Sequence, residues 1–246
     1  MEYKYIANCS FGQDSIASVL TALKYQEPLD GVLYCEVMFD EDVSGEVPEH
    51  RDFIYGKAIP WLESRGIPVF VVRSSRTYLD VFYQVIKNSG KPLLNGKYTG
   101  FPLCGRCHIQ SRCKGRTLNA YVRENFSSDT VQYIGILADE PYRQRRLESS
   151  PGKISLLCKH GIGRNDAEKM VKAAGLYSPV YEFSKRTGCW FCPNASKREL
   201  LHLKQHHSEL WDRLLKLGEE DTASKRFDRY YTISQLNEYL EEWQWY

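Results

Sequence analysis

A chain of 246 residues with 42% hydrophobic and 26% charged residues can bury a full core, and its composition is that of a globular protein rather than a disordered or fibrous one. A formal net charge of +2 excludes a globally basic nucleic-acid binder, so any basic surface must be local. No apolar run approaches the ~18–20 residues needed to span a membrane, and the N-terminus lacks the basic, apolar and small-residue order of a signal peptide, so no membrane partner and a cytoplasmic location are expected.

The chain opens on an apolar run, Tyr3–Ala7, breaks into Ser10, Phe11, Gly12, Gln13, Asp14 and Ser15, and resumes apolar periodicity at Ile16, Val19 and Leu20. This reads as strand, tight polar turn and helix, the helix running Ser15–Gln26. Ser10, Gly12 and Ser15 supply hydroxyls and close backbone approach at the mouth of a helix whose dipole favours an anion. Neither GxxxxGK[ST] nor GxGxxG is present. An acidic Asp14 inside an anion loop makes sense if Mg²⁺ accompanies phosphates.

Further strands are expected at Val32–Tyr34, Val69–Val72 and Val131–Leu137, with helices over Glu49–Arg65, Tyr78–Asn88 and Arg116–Asn125 between them. This alternation predicts an α/β fold, a doubly wound parallel sheet covered by helices, with ligands bound beyond the carboxyl ends of its strands. The last hundred residues read as helical. Asn165 and Glu168 open a short helix that Gly175 closes. Ser196 and Glu199 form a capping box before a helix through Leu200, Leu203, Leu210, Trp211, Leu214 and Leu217 to Gly218. Trp243, Trp245 and Tyr246 are expected to cover this subdomain's core. The expected division is 1–150, an α/β nucleotide-binding domain, and 151–246, a helical subdomain.

Eight cysteines in a reducing compartment call for something other than disulfides. Cys104 and Cys107 form one CxxC and Cys189 and Cys192 another, with Gly105, Gly188 and Pro193 suiting tight loops that turn thiolates inward. Four soft ligands in two pairs suit tetrahedral Zn²⁺ or a [4Fe–4S] cluster. Cys113 is a fifth candidate and His108 a weaker sixth. His202, His206 and His207 read as a polar helix face. Residues 112–146 hold seven Lys/Arg against four Asp/Glu, with Tyr121, Phe126, Tyr133 and Tyr142 interspersed, a modest nucleic-acid footprint that a solvated face explains equally well.

The stretch "SFGQDS" resembles the PP-loop of the ATP pyrophosphatases. "EVMFDEDVSGEVPEH" (36–50), "YIGILADEPYRQRR" (133–146) and "GCWFCPNASKRELLHLKQHHSELWDRL" (188–214) are similar to segments of the phosphoadenosine phosphosulfate (PAPS) reductase-like branch of that superfamily. The resemblance implies the adenine nucleotide alpha-hydrolase fold and ATP binding, with cleavage between the α and β phosphates. It implies that Ser10, Phe11, Gly12, Gln13, Asp14 and Ser15 hold the phosphates, that Glu36, Val37 and Met38 lie near the adenosine, and that Gly135, Ile136, Asp139, Glu140 and Arg143 line and rim the pocket. Asp14, Ser15 and Arg143 are the implied catalytic residues. Gln13 stands where many members carry lysine, a lost cation that Arg143, Arg145 or Arg146 would have to replace.

Within such a family a cluster on Cys104, Cys107, Cys189 and Cys192 would serve sulfur chemistry. The implied reaction is adenylation of a substrate with pyrophosphate release, followed by sulfur transfer, making the chain a sulfurtransferase-like enzyme. A tRNA, DNA or small-molecule acceptor and a cysteine desulfurase as sulfur donor are the implied partners. A PAPS or APS reductase is disfavoured, because no cysteine follows Cys192 and the loop carries Asp14. A non-catalytic nucleotide-binding subunit with structural zinc is the remaining alternative.

Overall fold

In the computed structural model, residues 4–102, 105 and 107–243 are described. The strands are β1 (Tyr5–Asn8), β2 (Gly31–Glu36), β3 (Val69–Arg73), β4 (Tyr98–Gly100), β5 (Val131–Ile134), β6 (Lys153–Ile154) and β7 (Thr222–Ser224). The helices are α1 (Gln13–Lys24), α2 (Pro48–Phe53), α3 (Ile59–Glu63), α4 (Tyr78–Phe82), α5 (Arg116–Asn125), α6 (Pro141–Glu148), α7 (Leu156–Lys159), α8 (Arg164–Ala173), α9 (Lys197–His206), α10 (Ser208–Glu219) and α11 (Ile233–Trp243). A π-helical turn, Ile54–Ala58, joins α2 to α3.

The chain forms two compact units. The first is 1–36, 48–72 and 117–182; the second is 37–47, 73–116 and 183–246. Residue 150, the expected boundary, lies inside the first unit. The reason is backbone pairing and packing: β6 continues the sheet by pairing with β5, and α8 packs along α1. The expected C-terminal subdomain therefore begins later in the chain and is completed by earlier segments.

The first unit holds a five-stranded sheet in the order β3-β2-β1-β5-β6, with β1 parallel to both β2 and β5, and β5 parallel to β6. Because successive side chains on a strand point to opposite faces, Ala7, Val32 and Tyr34 enter one core with residues of α1, α3, α7 and α8. Ile6, Leu33 and Cys35 enter the other, beneath Leu118, Tyr121 and Val122 of α5. Both faces are covered, as expected for a doubly wound sheet. The chain leaves β1 toward β2 on one side and later returns to β5 on the other. The carboxyl end of β1 is thus the topological switch point, where such sheets bind ligands.

The second unit has little regular sheet: β4 and β7 pair in parallel over three residues each. Its core is aromatic, with Phe39, Tyr78, Phe82, Phe101, Trp190, Phe191, Trp211 and Phe227 buried together. Three expected helices differ from those observed. Only Tyr78–Phe82 of the 78–88 stretch is helical, because Val85 bridges to Tyr98 and Ile86 exchanges backbone hydrogen bonds with Lys97 and Gly96 instead of with its own turn. The helix expected to run to Gly218 is two, broken at His207, where the weak helix formers His206, His207 and Ser208 follow one another. Gly218 lies within α10 rather than ending it; a Cβ there would sit 2.2 Å from the Ile233 methyl. In the first unit α8 starts at Arg164 with Gly163 as its cap, and Gly175 (φ +69°) closes it as expected.

Candidate functional site

The segment between β1 and α1 is held in shape by its own polar groups. The Ser15 hydroxyl accepts from the Ser10 N–H (3.2 Å) and donates to the Gly12 carbonyl (2.9 Å), and the Phe11 N–H points at the Cys9 sulfur (3.3 Å). His50, wholly buried, reaches the Ser10 carbonyl through Nε2 (3.2 Å) and the Ser178 hydroxyl through Nδ1 (2.9 Å). Phe11 takes a left-handed backbone conformation (φ +56°) that L-residues avoid. Its ring is 1% exposed and meets Tyr34 edge-on at 5.2 Å.

α1 begins at Gln13, whose N–H donates to the Tyr181 hydroxyl (2.7 Å). First-turn N–H groups have no partner inside their own helix, and those of Asp14 and Ser15 lie at the positive end of α1. Gly135, just beyond β5, lies hard against this turn: a Cβ at that position would fall 2.9 Å from the Asp14 and Ser15 backbone. Glycine is required here by close approach.

Around the turn stand Asp14, Asp139, Glu140, Arg143 and Arg164. One Asp14 carboxylate oxygen, Oδ1, is buried without a hydrogen-bond partner among the described residues. Burial pushes the Asp14 carboxyl above its ordinary pKa. Arg164, the strongest of the charges around it, pulls it back, as does Arg143, while Glu140 and Asp139 push it further up. Arg143 is engaged by both oxygens of Glu140 (2.8 and 2.7 Å), and Asp139 accepts from the Arg164 backbone N–H (3.0 Å). A buried carboxylate oxygen with no donor, beside two further acids, fits a hard cation such as Mg²⁺, and the first-turn N–H groups fit phosphate oxygens.

Of the other residues expected at this site, Ile136 is buried and its carbonyl accepts from the Ser155 hydroxyl (2.6 Å). Glu36, at the end of β2, accepts from the Tyr55 hydroxyl (2.7 Å) and Arg51 (3.4 Å). Val37 and Met38 fall in the second unit, where their carbonyls accept from the N–H groups of Gly45 (2.7 Å) and Tyr78 (2.9 Å). Arg164 was missed in the sequence because it lies well over a hundred residues from the loop and belongs to no recognised motif.

The second unit sets Cys107, Cys189 and Cys192 in one neighbourhood, with their sulfurs not all within 4.8 Å of one another. Each bears on the buried Tyr78 hydroxyl, which has no hydrogen-bond partner among the described residues. Cys104 lies outside the described residues. The 189–192 segment is a tight turn closed by the Cys192 N–H on the Cys189 carbonyl (3.1 Å). It is fixed to the 44–46 segment: Trp190 donates from its backbone to the Gly45 carbonyl (3.0 Å) and from its indole to the Ser44 carbonyl (2.9 Å), and Cys189 pairs with Glu46. A Cβ on Gly45 would fall 2.9 Å from the Phe191 ring, so this turn too is seated on a glycine.

Burial pushes the Cys189 thiol well up, reinforced by Glu46 and the other two cysteines and opposed by Lys114. Arg186, which the sequence did not flag, stays charged: burial works against its charge, but Cys192, Glu199 and Cys189 more than offset this. The three described sulfurs, not all within 4.8 Å of one another, are set wider than a single tetrahedral Zn²⁺ needs, and beside Arg186 and Lys114 they suit a larger iron–sulfur centre. Cys113 sits fully buried in the aromatic core, its thiol directed at the Thr77 carbonyl (3.8 Å). None of the described cysteines is in a disulfide.

Three of the four aromatics expected in a nucleic-acid footprint are used for packing. Tyr121 and Phe126 pack with Phe70 in tilted and edge-on contacts under the sheet, and Tyr133 is buried; Tyr142 is 71% exposed. His202 stacks on Phe183 at 3.6 Å. Trp245 and Tyr246 and the side chain of Trp243 lie outside the described residues. Among the described residues no helix is long and apolar enough to cross a membrane.

Fold and loop together define a doubly wound α/β unit with an anion-ready turn at its switch point. No protein-family model and no curated protein matches the chain. Among solved structures it is similar to the U34-tRNA thiolase NcsA from Methanococcus maripaludis, determined with its [4Fe-4S] cluster. The two are 16% identical, the match covers 98% of this chain and 73% of that one, and the TM-score is 0.45.

Proposed function

We propose that the chain is a PP-loop enzyme of the ATP pyrophosphatase type that activates a substrate with ATP and transfers sulfur to it. The observation that carries this is the turn at the carboxyl end of β1, where Gly135 leaves room for a close-packed backbone and a buried Asp14 oxygen has no partner among the described residues. Asp14 would hold Mg²⁺ on the phosphates. The N–H groups of Asp14 and Ser15, with the Ser10 hydroxyl, would bind phosphate oxygens and stabilise charge that grows as the α–β bond breaks. Arg143, fixed by Glu140, stands at the rim beside Asp139.

A substrate oxygen attacks the α-phosphorus, the bond to the bridging oxygen breaks, and pyrophosphate leaves with Mg²⁺. Hydrosulfide then attacks the activated carbon, loses its proton, and AMP departs with the original oxygen. Three of Cys104, Cys107, Cys189 and Cys192 would hold a [4Fe–4S] cluster, and the coordination position they leave free would supply a site for sulfide when it is bound. In this chain Arg186 and Lys114 would offset thiolate charge, and the Tyr78 hydroxyl would donate to a thiolate sulfur. An oxygen on a tRNA or DNA base or on a small molecule is the acceptor class, with a cysteine desulfurase as the upstream sulfur donor, its persulfide being reduced by a dithiol that is oxidised to a disulfide as hydrosulfide is released.

Anaerobic purification with metal analysis, followed by assay of ATP conversion to AMP and pyrophosphate, tests this reading. About four irons per chain with a broad band near ~400 nm, and AMP formation that depends on acceptor, support it. One equivalent of zinc and no AMP would replace it with a nucleotide-binding subunit held by a structural metal.

A further inference from the structure

Resting on the nucleotide reading above, we propose that Arg164 supplies the positive charge to the bound polyphosphate that the loop, with Gln13 where a lysine would stand, does not carry. Gln13 is buried, and its side-chain amide donates to the Arg164 carbonyl (3.4 Å). From the other side the Arg164 N–H donates to Asp139 Oδ2 (3.0 Å). The first residue of α8 is therefore held by main-chain bonds between the start of α1 and the loop after β5, the same two segments that meet at Gly135.

This leaves the side chain uncommitted. Among the described residues the Arg164 guanidinium has no hydrogen-bond or ion-pair partner, and it is exposed. Arg143, by contrast, is neutralised by Glu140 at 2.7 Å. Of the charges acting on Asp14, Arg164 is the largest, which sets its cation near the Asp14 carboxylate. The loop residue in the lysine position does not bind phosphate but fastens the segment that does.

The exchange has a chemical consequence. A triphosphate here faces Asp14, Asp139 and Glu140, so cations are needed on more than one of its oxygens. A guanidinium presents a planar fork that can engage two phosphate oxygens at once, where an ammonium acts as a point charge. The arginine stands on a different element from the loop, which suits contact with the outer phosphates that depart as pyrophosphate.

The test is calorimetric titration of the full chain with Mg·ATP and, separately, AMP. Arg164→Ala should weaken Mg·ATP binding by about 10- to 100-fold and AMP binding by less than about 3-fold. Arg164→Lys should fall between. Because the bonds that hold residue 164 come from its backbone, these variants keep the fold, checked by thermal melting. Adding Gln13→Lys to Arg164→Ala should recover part of the lost affinity. Equal Mg·ATP affinity in the unmodified chain and Arg164→Ala, or an equal loss for AMP, overturns the assignment while leaving the nucleotide reading standing. An unmodified chain that binds no Mg·ATP overturns both.

Discussion

The two units solve the problem of placing a reactive group differently. In the first, a regular sheet with aliphatic cores on both faces fixes where β1 ends, and the loop inherits its position from backbone pairing. In the second, short strands of three residues give little such scaffold, and the cysteines are placed by an aromatic core and by the Trp190 bonds to 44–45. A sheet tolerates change in its side chains while keeping its register, whereas an aromatic packing that would seat the proposed metal centre depends on the particular side chains and on the metal.

Substitutions can break or sharpen that contrast. The largest effect is expected at Cys189→Ser, which should abolish stoichiometric metal binding. Because structural metal binding is folding free energy, it should also expose the second unit to proteolysis while the first stays resistant; retained metal with unchanged digestion would show the centre is misplaced. Asp14→Ala should reduce AMP formation by about 10²- to 10³-fold, the range lost when a transition-state electrostatic contact is removed, with a melting temperature no lower than that of the unmodified chain. Retained turnover would remove the loop from the chemistry.

Gly135→Ala drives a methyl into the loop backbone and should cost about 1–3 kcal/mol of stability, together with Mg·ATP affinity; stability lost without affinity would mean the turn simply shifts aside. Tyr78→Phe removes a buried hydroxyl without a partner. In metal-free protein it should raise stability by about 1 kcal/mol, and with metal bound the gain should vanish, as melting of both forms would show. A gain of equal size in both would mean the hydroxyl serves no ligand.

The smallest effect concerns pH. Burial raises the Asp14 carboxyl above its unfolded value of 3.8, so its ionisation opposes folding. The cost is absent below pH 3.8, appears as pH rises through the folded pKa, and is complete above it. Asp14→Asn should therefore stabilise the ligand-free protein near neutral pH, with the gain shrinking toward pH 4. A gain independent of pH would point to packing instead.

Much of the first unit was legible because its signals are local. The polar break after an apolar run, the strand–helix alternation and the Arg116–Asn125 helix all appear where expected, as does the Ser196–Glu199 capping box in the second unit (2.7 and 3.2 Å). What was not legible depends on partners distant in the chain. The 78–88 helix gives way to pairing with residues 96–99, whose hydrogen bonds no periodicity announces. Arg164 and Arg186 matter because of what the fold sets beside them. The first boundary was read at 150 because the helical second half looks uniform in sequence, whereas the edge strand β6 is only two residues long.

Phe11 carries a further consequence. Its left-handed backbone costs about 1–2 kcal/mol, and burying its ring returns about 2–3 kcal/mol, so the core and not a ligand holds the turn in shape. The conformational entropy of ordering these residues is surrendered when the protein folds. On the proposed function a nucleotide would meet a receptor already formed, and its association is expected to be a single fast step without a slow rearrangement of the loop.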